Sequence, residues 1–420
     1  MGPILIFDKS TLHALSVDEC VWLGRFYNVN ITPIYFAEVI ADLEKEVAEG
    51  KKPEDIVARL AVKTTALESR ANVHHVKMCP ADLMGNAVDM HGVPVLEGGR
   101  PVAQKGKKGL VFSIPPETKM LDRWRGRKFH DAEREMARAW RASLENLDLD
   151  RTYETFRKLV ERAGKPKDFA AAKGLADSLL GDLAQAERML GLAFMSLGIP
   201  HELWGRIFDR WKAAGRPVLS EVAPYAAHVM SVEMFFSIAV GSDLISKERP
   251  SNKVDIAYLN YLPFCTVFSS SDWLHETTVP LFLTGKQLFV RAADLKADLK
   301  KLDEHYDALP EDTKKRGTMS FAPHPPLEGG FLVTELWDRF MSPIWREPKD
   351  AKPARDPELE RKLVREMRNL GAGETIAEQV ELDEADFVVL QDRMPVQVGK
   401  WRILPPGVED DPQNRADNGE

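Results

Sequence analysis

The chain is expected to be an α/β protein built on a parallel sheet, and three observations lead there. Short apolar runs, ILIF at residues 4–7 and later NITPI, FCTVF and KQLFV, have strand length and suit strands covered on both faces. Helix-patterned segments lie between them. Acidic residues stand beside these runs: Asp8 closes ILIFD, Glu38 follows NITPI, Asp255 precedes FCTVF and Asp272 closes CTVFSSSD. Open α/β sheets bind ligands beyond the carboxyl ends of their strands, so acids far apart in sequence can meet there.

The elements follow in order. Residues 3–7 make the first buried strand, and a DKST loop leads to a helix near Leu12. Ser16 then caps VDECVWLGRFY, with Glu19 at the capping-box position. NITPI is the second strand. From Tyr35 to Ala48 the residues Phe36, Val39, Ile40, Leu43 and Val47 form one apolar stripe. Glu38, in the first turn, lies roughly opposite that stripe, which by itself favours a solvated position. From 51 to 223 the strand-helix alternation is lost: residues 73–109 are rich in Gly and Pro and read as loops or short strands, and long helical segments follow. The α/β pattern returns with the apolar helix YAAHVMSVEMFFSIAVGSDLI, a helix opening at Asp255, the strand CTVFSSSD, the strand KQLFVRA and the helix DLKADLKKLDEHYDAL. FAPHPPLEGGFLVTELWDRFMSPIW is apolar enough to pack on the body, and PPGVEDDPQNRADNGE reads as a disordered tail.

These shifts divide the chain into residues 1–50, the first part of the α/β body; 51–223, a mainly helical insertion; 224–346, the second part with its packing segment; and 347–420, a charged extension. At 420 residues and 44% hydrophobic, such a chain can bury a large core. Cys20, Cys79 and Cys265 are odd in number, dispersed and outside any C-x-x-C pattern, which points to a reducing, cytoplasmic location. MGPILIF reaches Asp8 too soon for a signal peptide or a span, so no membrane partner is expected, and Ile6 stands where a myristoylation signal wants Ser or Thr. A formal charge of -8 supplies no global attraction to nucleic acid, so a polyanion must be held by local basic patches or metal ions.

Gathered carboxylates repel one another unless they take up protons or a hard cation such as Mg²⁺ or Mn²⁺. The chemistry that two such ions do best is phosphodiester hydrolysis, one lowering the pKa of the attacking water and the other stabilising the leaving oxygen. Each acid also has a local reading: Asp8 as a turn former, Asp255 as a first-turn acid favoured by the helix dipole, Asp272 as an N-cap.

Asp8 with Ser10 in FDKST, Glu38 in ITPIYFAEV, Asp255 in KVDIAYLNYL and Ser271 with Asp272 in VFSSSDW together resemble the PIN-like nuclease family, over about residues 3–50 and 225–310. The resemblance implies a PIN-like α/β/α three-layer domain with a central parallel sheet. It implies a hydrolase cleaving RNA in preference to DNA, with Mg²⁺ or Mn²⁺ held by Asp8, Glu38, Asp255 and Asp272. The helical insertion departs from the compact family pattern and would serve substrate choice, a protein partner or homo-oligomerisation. The other reading is a PIN-like body used as a scaffold or binding module.

Ser10, Ser271 and Lys9 are placed to orient carboxylates or waters. His275, one turn past Asp272, reads as a surface histidine. Arg123, Arg125, Arg127 and Lys128, interleaved with Trp124 and Phe129, could follow a phosphate backbone while the aromatics stack on bases, or form a solvated face. His74, His75, Cys79 and His91 lack the tight spacing of structural zinc. A haloacid-dehalogenase-type phosphatase would need Asp at position 10, where the chain has Ser10.

Overall fold

A computed structural model describes residues 2–50, 52–67, 71–90, 98–104, 107–112, 116–125, 128, 133, 135, 149–347 and 396–404. Its centre is a four-stranded parallel sheet of β1 (Ile4–Phe7), β2 (Asn28–Val29), β5 (Val267–Ser270) and β6 (Leu288–Arg291), in the order β2-β1-β5-β6. Antiparallel hairpins are formed by β3 (Gly98–Gln104) with β4 (Lys107–Phe112), and by β7 (Gln397–Val398) with β8 (Trp401–Arg402).

β1 is central: Leu5 aligns with Val29 on one side and Val267 on the other, and Phe7 aligns with Ser269. Leu5, Ile6, Phe7, Val267 and Phe268 are all at most 1% exposed, so both faces of the sheet are covered. The Val17–Phe26 helix packs on the Ala292–Asp307 helix, and the 3₁₀ turn Tyr258–Phe264 packs on β1. The Ser16–Glu19 capping box forms as expected, with Ser16 Oγ accepting from Glu19 N and Glu19 accepting from Ser16 N.

Several elements differ from the sequence reading, among them the helix read as opening at Asp255, which begins at Asn252. The second strand is Asn28–Val29, just before the NITPI run at residues 30–34 expected to form it, with Asn30 N still donating to Leu5 O and Ile31 bridging Ala71. Pro33 then opens the Pro33–Ala48 helix, because a proline with no N–H is well suited to a first helical turn. Glu38 therefore sits in the second turn rather than the first. His75–Leu83, inside the stretch read as loops or strands, is a helix, with Pro80 in its interior.

The 51–223 stretch is mostly helical where described, and its first helices lie directly on the body. Lys63 Nζ donates to the Leu12 and His13 carbonyls at 3.1 and 2.9 Å. Gly24 faces Ala66 O, which a Cβ at position 24 would approach to 2.1 Å, so only glycine permits this contact. The Pro224–Gly241 helix is apolar around its whole circumference because it is enclosed by the Leu149–Ala163, Phe169–Gly181 and His75–Leu83 helices. The Leu332–Phe340 helix packs on the body through Val333, Leu336 and Trp337, whose Nε1 donates to Phe26 O. Most of the 130–147 helical segment and the 405–420 tail fall outside the described residues. No helix among the described residues is long and apolar enough to cross a membrane.

Candidate active site

The carboxyl ends of β1 and β5 adjoin, and the chain turns from each directly into a helix. Asp8 follows β1 and is the N-cap of Lys9–Ala14, while Asp272 follows β5 and is the N-cap of Trp273–Thr278. Both local readings of these acids thus hold in the fold.

Asp8 is 4% exposed and heavily bonded. Its Oδ1 accepts from Thr11 N and lies 2.9 Å from Thr11 Oγ1. Ser10 Oγ stands 2.8 Å from each carboxylate oxygen, and Ser270 Oγ is 2.6 Å from Oδ2. Ser271 Oγ donates to Ser10 Oγ at 2.6 Å, so the two serines are hydrogen-bonded in series to the Asp8 carboxylate.

His275 completes this cluster and is not a surface residue: it is 1% exposed. Its Nε2 lies 2.7 Å from the Asp255 carbonyl, its Nδ1 lies 2.8 Å from Ser270 Oγ, and Asp8 Oδ2 is 3.5 Å from Nδ1. With Asp8 ionised, the hydrogen bonds of His275 set its charge. A carbonyl can only accept, so Nε2 carries a hydrogen. The Ser270 hydroxyl has one hydrogen, which goes to Asp8, and its oxygen already accepts from Asp272 N at 2.9 Å. Nδ1 must therefore donate as well, which makes the ring an imidazolium. Burial alone would lower the His275 pKa, but the neighbouring Asp8 carboxylate outweighs it and holds the ring up at about 9. Burial likewise raises Asp8, while His275, Ser270 and the Thr11 amide more than offset it and leave its carboxyl below the usual range.

Glu38 reaches the same place from the Pro33–Ala48 helix. Tyr258 Oη donates to Glu38 Oε2 at 2.7 Å, and the glutamate is partly covered rather than solvated. Burial is the main cause that lifts its pKa to about 7, and the charges of Asp8 and Asp255 add to it against the Tyr258 bond and Lys9. Asp8 and Asp255 thus both act on Glu38, and Lys9 opposes them there.

Asp272 differs. Its Oδ1 accepts from Leu274 N at 2.6 Å and His275 N at 3.4 Å, so this carboxylate is engaged with its own helix. Among the described residues, no three His, Cys, Asp or Glu side chains are grouped as ligands of one ion. His74 and His75 stack on each other, His75 Nδ1 lies 3.2 Å from Tyr261 Oη, and Cys79 is fully buried. His91 lies outside the described residues.

The basic-aromatic segment is also reassigned in its described part. Trp124 is fully buried and its Nε1 donates to Glu133, which also pairs with Arg123, so Trp124 is core rather than a base-stacking surface. Lys128 is exposed; the Arg125 side chain and Arg127 lie outside the described residues.

Sequence reasoning missed Ser270, Thr11 and Tyr258 and misplaced His275 at the surface. The signal for Ser270 and Thr11 was available in their spacing from Asp272 and Asp8. That for Tyr258 and His275 was not, since each depends on an element remote in sequence. No family model, characterised protein or solved structure matches the chain.

Proposed function

We propose that the chain is a metal-dependent hydrolase of phosphodiester bonds in RNA, with a PIN-like α/β/α body. The observation that supports this reading best is the link from Asp8 through Ser270 and His275 to the Asp255 carbonyl, with Glu38 close enough to feel the charges of both acids. Burial and the charges of Asp8 and Asp255 raise Glu38 against Lys9, a state that a bound divalent cation would relieve. Glu38 and Asp255 would hold Mg²⁺ or Mn²⁺, with Asp8 adding charge behind them. Asp272 fits a ligand role less well, because its oxygen is used by backbone amides. A bound divalent ion supplies Lewis-acid stabilisation of charge on the phosphoryl oxygens. The chain's own groups keep the site in register: His275 ties Asp8 to the Asp255 backbone through Ser270, and Tyr258 fixes the Glu38 rotamer.

Hydrolysis of a labelled single-stranded RNA in Mn²⁺ tests this. Asp8→Asn and Glu38→Gln are expected to lower the rate by at least about a hundredfold, equivalent to roughly 2.7 kcal/mol, with an unchanged circular-dichroism spectrum, since Asn remains a good N-cap. Unchanged turnover in either variant would overturn the reading.

One observation favours a second reading. The Asp8 carboxylate is already saturated by Ser10, Thr11 and Ser270 beside an imidazolium, the arrangement of a structural group in a binding module. That reading expects no calorimetric heat with millimolar Mn²⁺ and no cleavage.

A further inference from the structure

Trp273 is 64% exposed, which is unusual for the largest side chain, and it is the first residue of the helix capped by Asp272. One Cα step, about 3.8 Å, separates it from that acid, whose N–H donates to the Ser270 hydroxyl bonded to Asp8. Its indole is not alone: the Phe169 ring lies 6.0 Å away at an interplanar angle of 58°. Phe169 opens the Phe169–Gly181 helix of the 51–223 stretch and is itself anchored by Phe235 at 6.0 Å. Lys167, two residues before Phe169, is exposed and has no ion-pair partner among the described residues. Ser271 and Asp168 beside the two rings are exposed and polar, so the rings are an aromatic ledge in polar surroundings rather than the centre of an apolar protein interface.

We infer that Trp273, backed by Phe169, is a stacking platform for one base of a single-stranded nucleic acid whose backbone runs past the carboxylate site, with Lys167 meeting a phosphate. This rests on the phosphodiester reading of that site. An exposed indole presents a flat π-face, which any unpaired base can cover, whereas bases within a duplex are already stacked on their neighbours. The ledge therefore favours single strands and tolerates sequence variation. The second ring comes from the 51–223 stretch, which gives that stretch a part in substrate choice.

The test uses the full chain carrying Asp8→Asn, so that a bound strand is not cut, with fluorescence anisotropy of a labelled oligouridylate and of the same strand annealed to oligoadenylate. Binding of the single strand is expected to exceed that of the duplex. Trp273→Ala should weaken it roughly tenfold, Trp273→Phe should restore most of the loss, and Lys167→Ala should lower the salt dependence by about one phosphate contact. Equal binding of single strand and duplex, or unchanged binding with Trp273→Ala, would overturn the platform. Absence of oligonucleotide binding would overturn it too. Hydrolysis of bis(p-nitrophenyl) phosphate by the wild-type chain in Mn²⁺ then separates the two ideas: turnover there with no strand binding sinks the ledge alone, and its absence sinks the phosphodiester reading as well.

Discussion

The Asp8–His275 pair and Glu38 respond to pH in ways that can be worked out. His275 has a folded-state pKa near 9 against an ordinary value of 6.5, so its contribution is complete below 6.5 and fades as pH rises through 9. Asp8 is depressed, so its share is present above its ordinary 3.8 and is lost only when acid drives pH below that value. Glu38 is raised from 4.5 to about 7, so its neutral form favours the fold at low pH and its ionisation costs stability as pH climbs through 7. Without divalent ions, stability should therefore fall from about pH 4.5 to 9. Glu38→Gln should flatten the lower part of that slope and stabilise the protein at pH 8 by about 2 kcal/mol. His275→Leu should cost about 3 kcal/mol at pH 6, because it leaves a buried carboxylate without its cation. Urea melts between pH 4.5 and 9 in EDTA check both. The identity of Asp8 as a special residue was legible from its place after an apolar run. The imidazolium beside it was not, because its charge depends on a serine, a carboxylate and a carbonyl that only folding brings together.

At the scale of elements, two helices are capped from outside their own sequence. Ala223 offers no side-chain cap to the Pro224–Gly241 helix; instead Asp82 Oδ2, on the His75–Leu83 helix, accepts from Tyr225 N at 2.8 Å and Ala226 N at 3.0 Å. Asp298 does the same for the Leu332–Phe340 helix, accepting from Leu332 N and Val333 N at 2.7 and 3.0 Å. Asp82→Ala strands two buried amides and should lower stability by roughly 2 kcal/mol or more. Asp82→Asn keeps one oxygen for both amides and should recover most of it, as thermal melts would show. The capping box at Ser16 was readable because both partners lie within four residues. These caps join residues 143 and 34 apart in sequence, so no local pattern announces them. The same contrast explains the helix at 75–83: Met78, Cys79 and Leu83 are buried against other elements, while the interior Pro80 argues locally against a helix.

Among the described residues, an apolar core runs from β1 through the Pro224–Gly241 helix to the β7–β8 hairpin. Trp401 of β8 lies with its ring 4.7 Å from Trp22, and both indoles donate to Asp303, at 2.7 and 3.1 Å. The hairpin's docking site on the Val17–Phe26 and Ala292–Asp307 helices was not legible in the sequence, because it joins residues 98 apart or more. Trp401→Ala should cost about 3 kcal/mol and lower the urea midpoint with little change in slope, since the hairpin unfolds with the body rather than before it.

The parallel ladder joins segments made at very different times. Thr11 and Ser269, bonded across the β1–β5 edge, are 258 residues apart. At roughly 5–20 residues per second, a ribosome needs about 13–50 s to travel from one to the other. Throughout that interval Leu5, Ile6 and Phe7 have no strand to meet on that side, so the newborn amino-terminal segment is a natural client for chaperones.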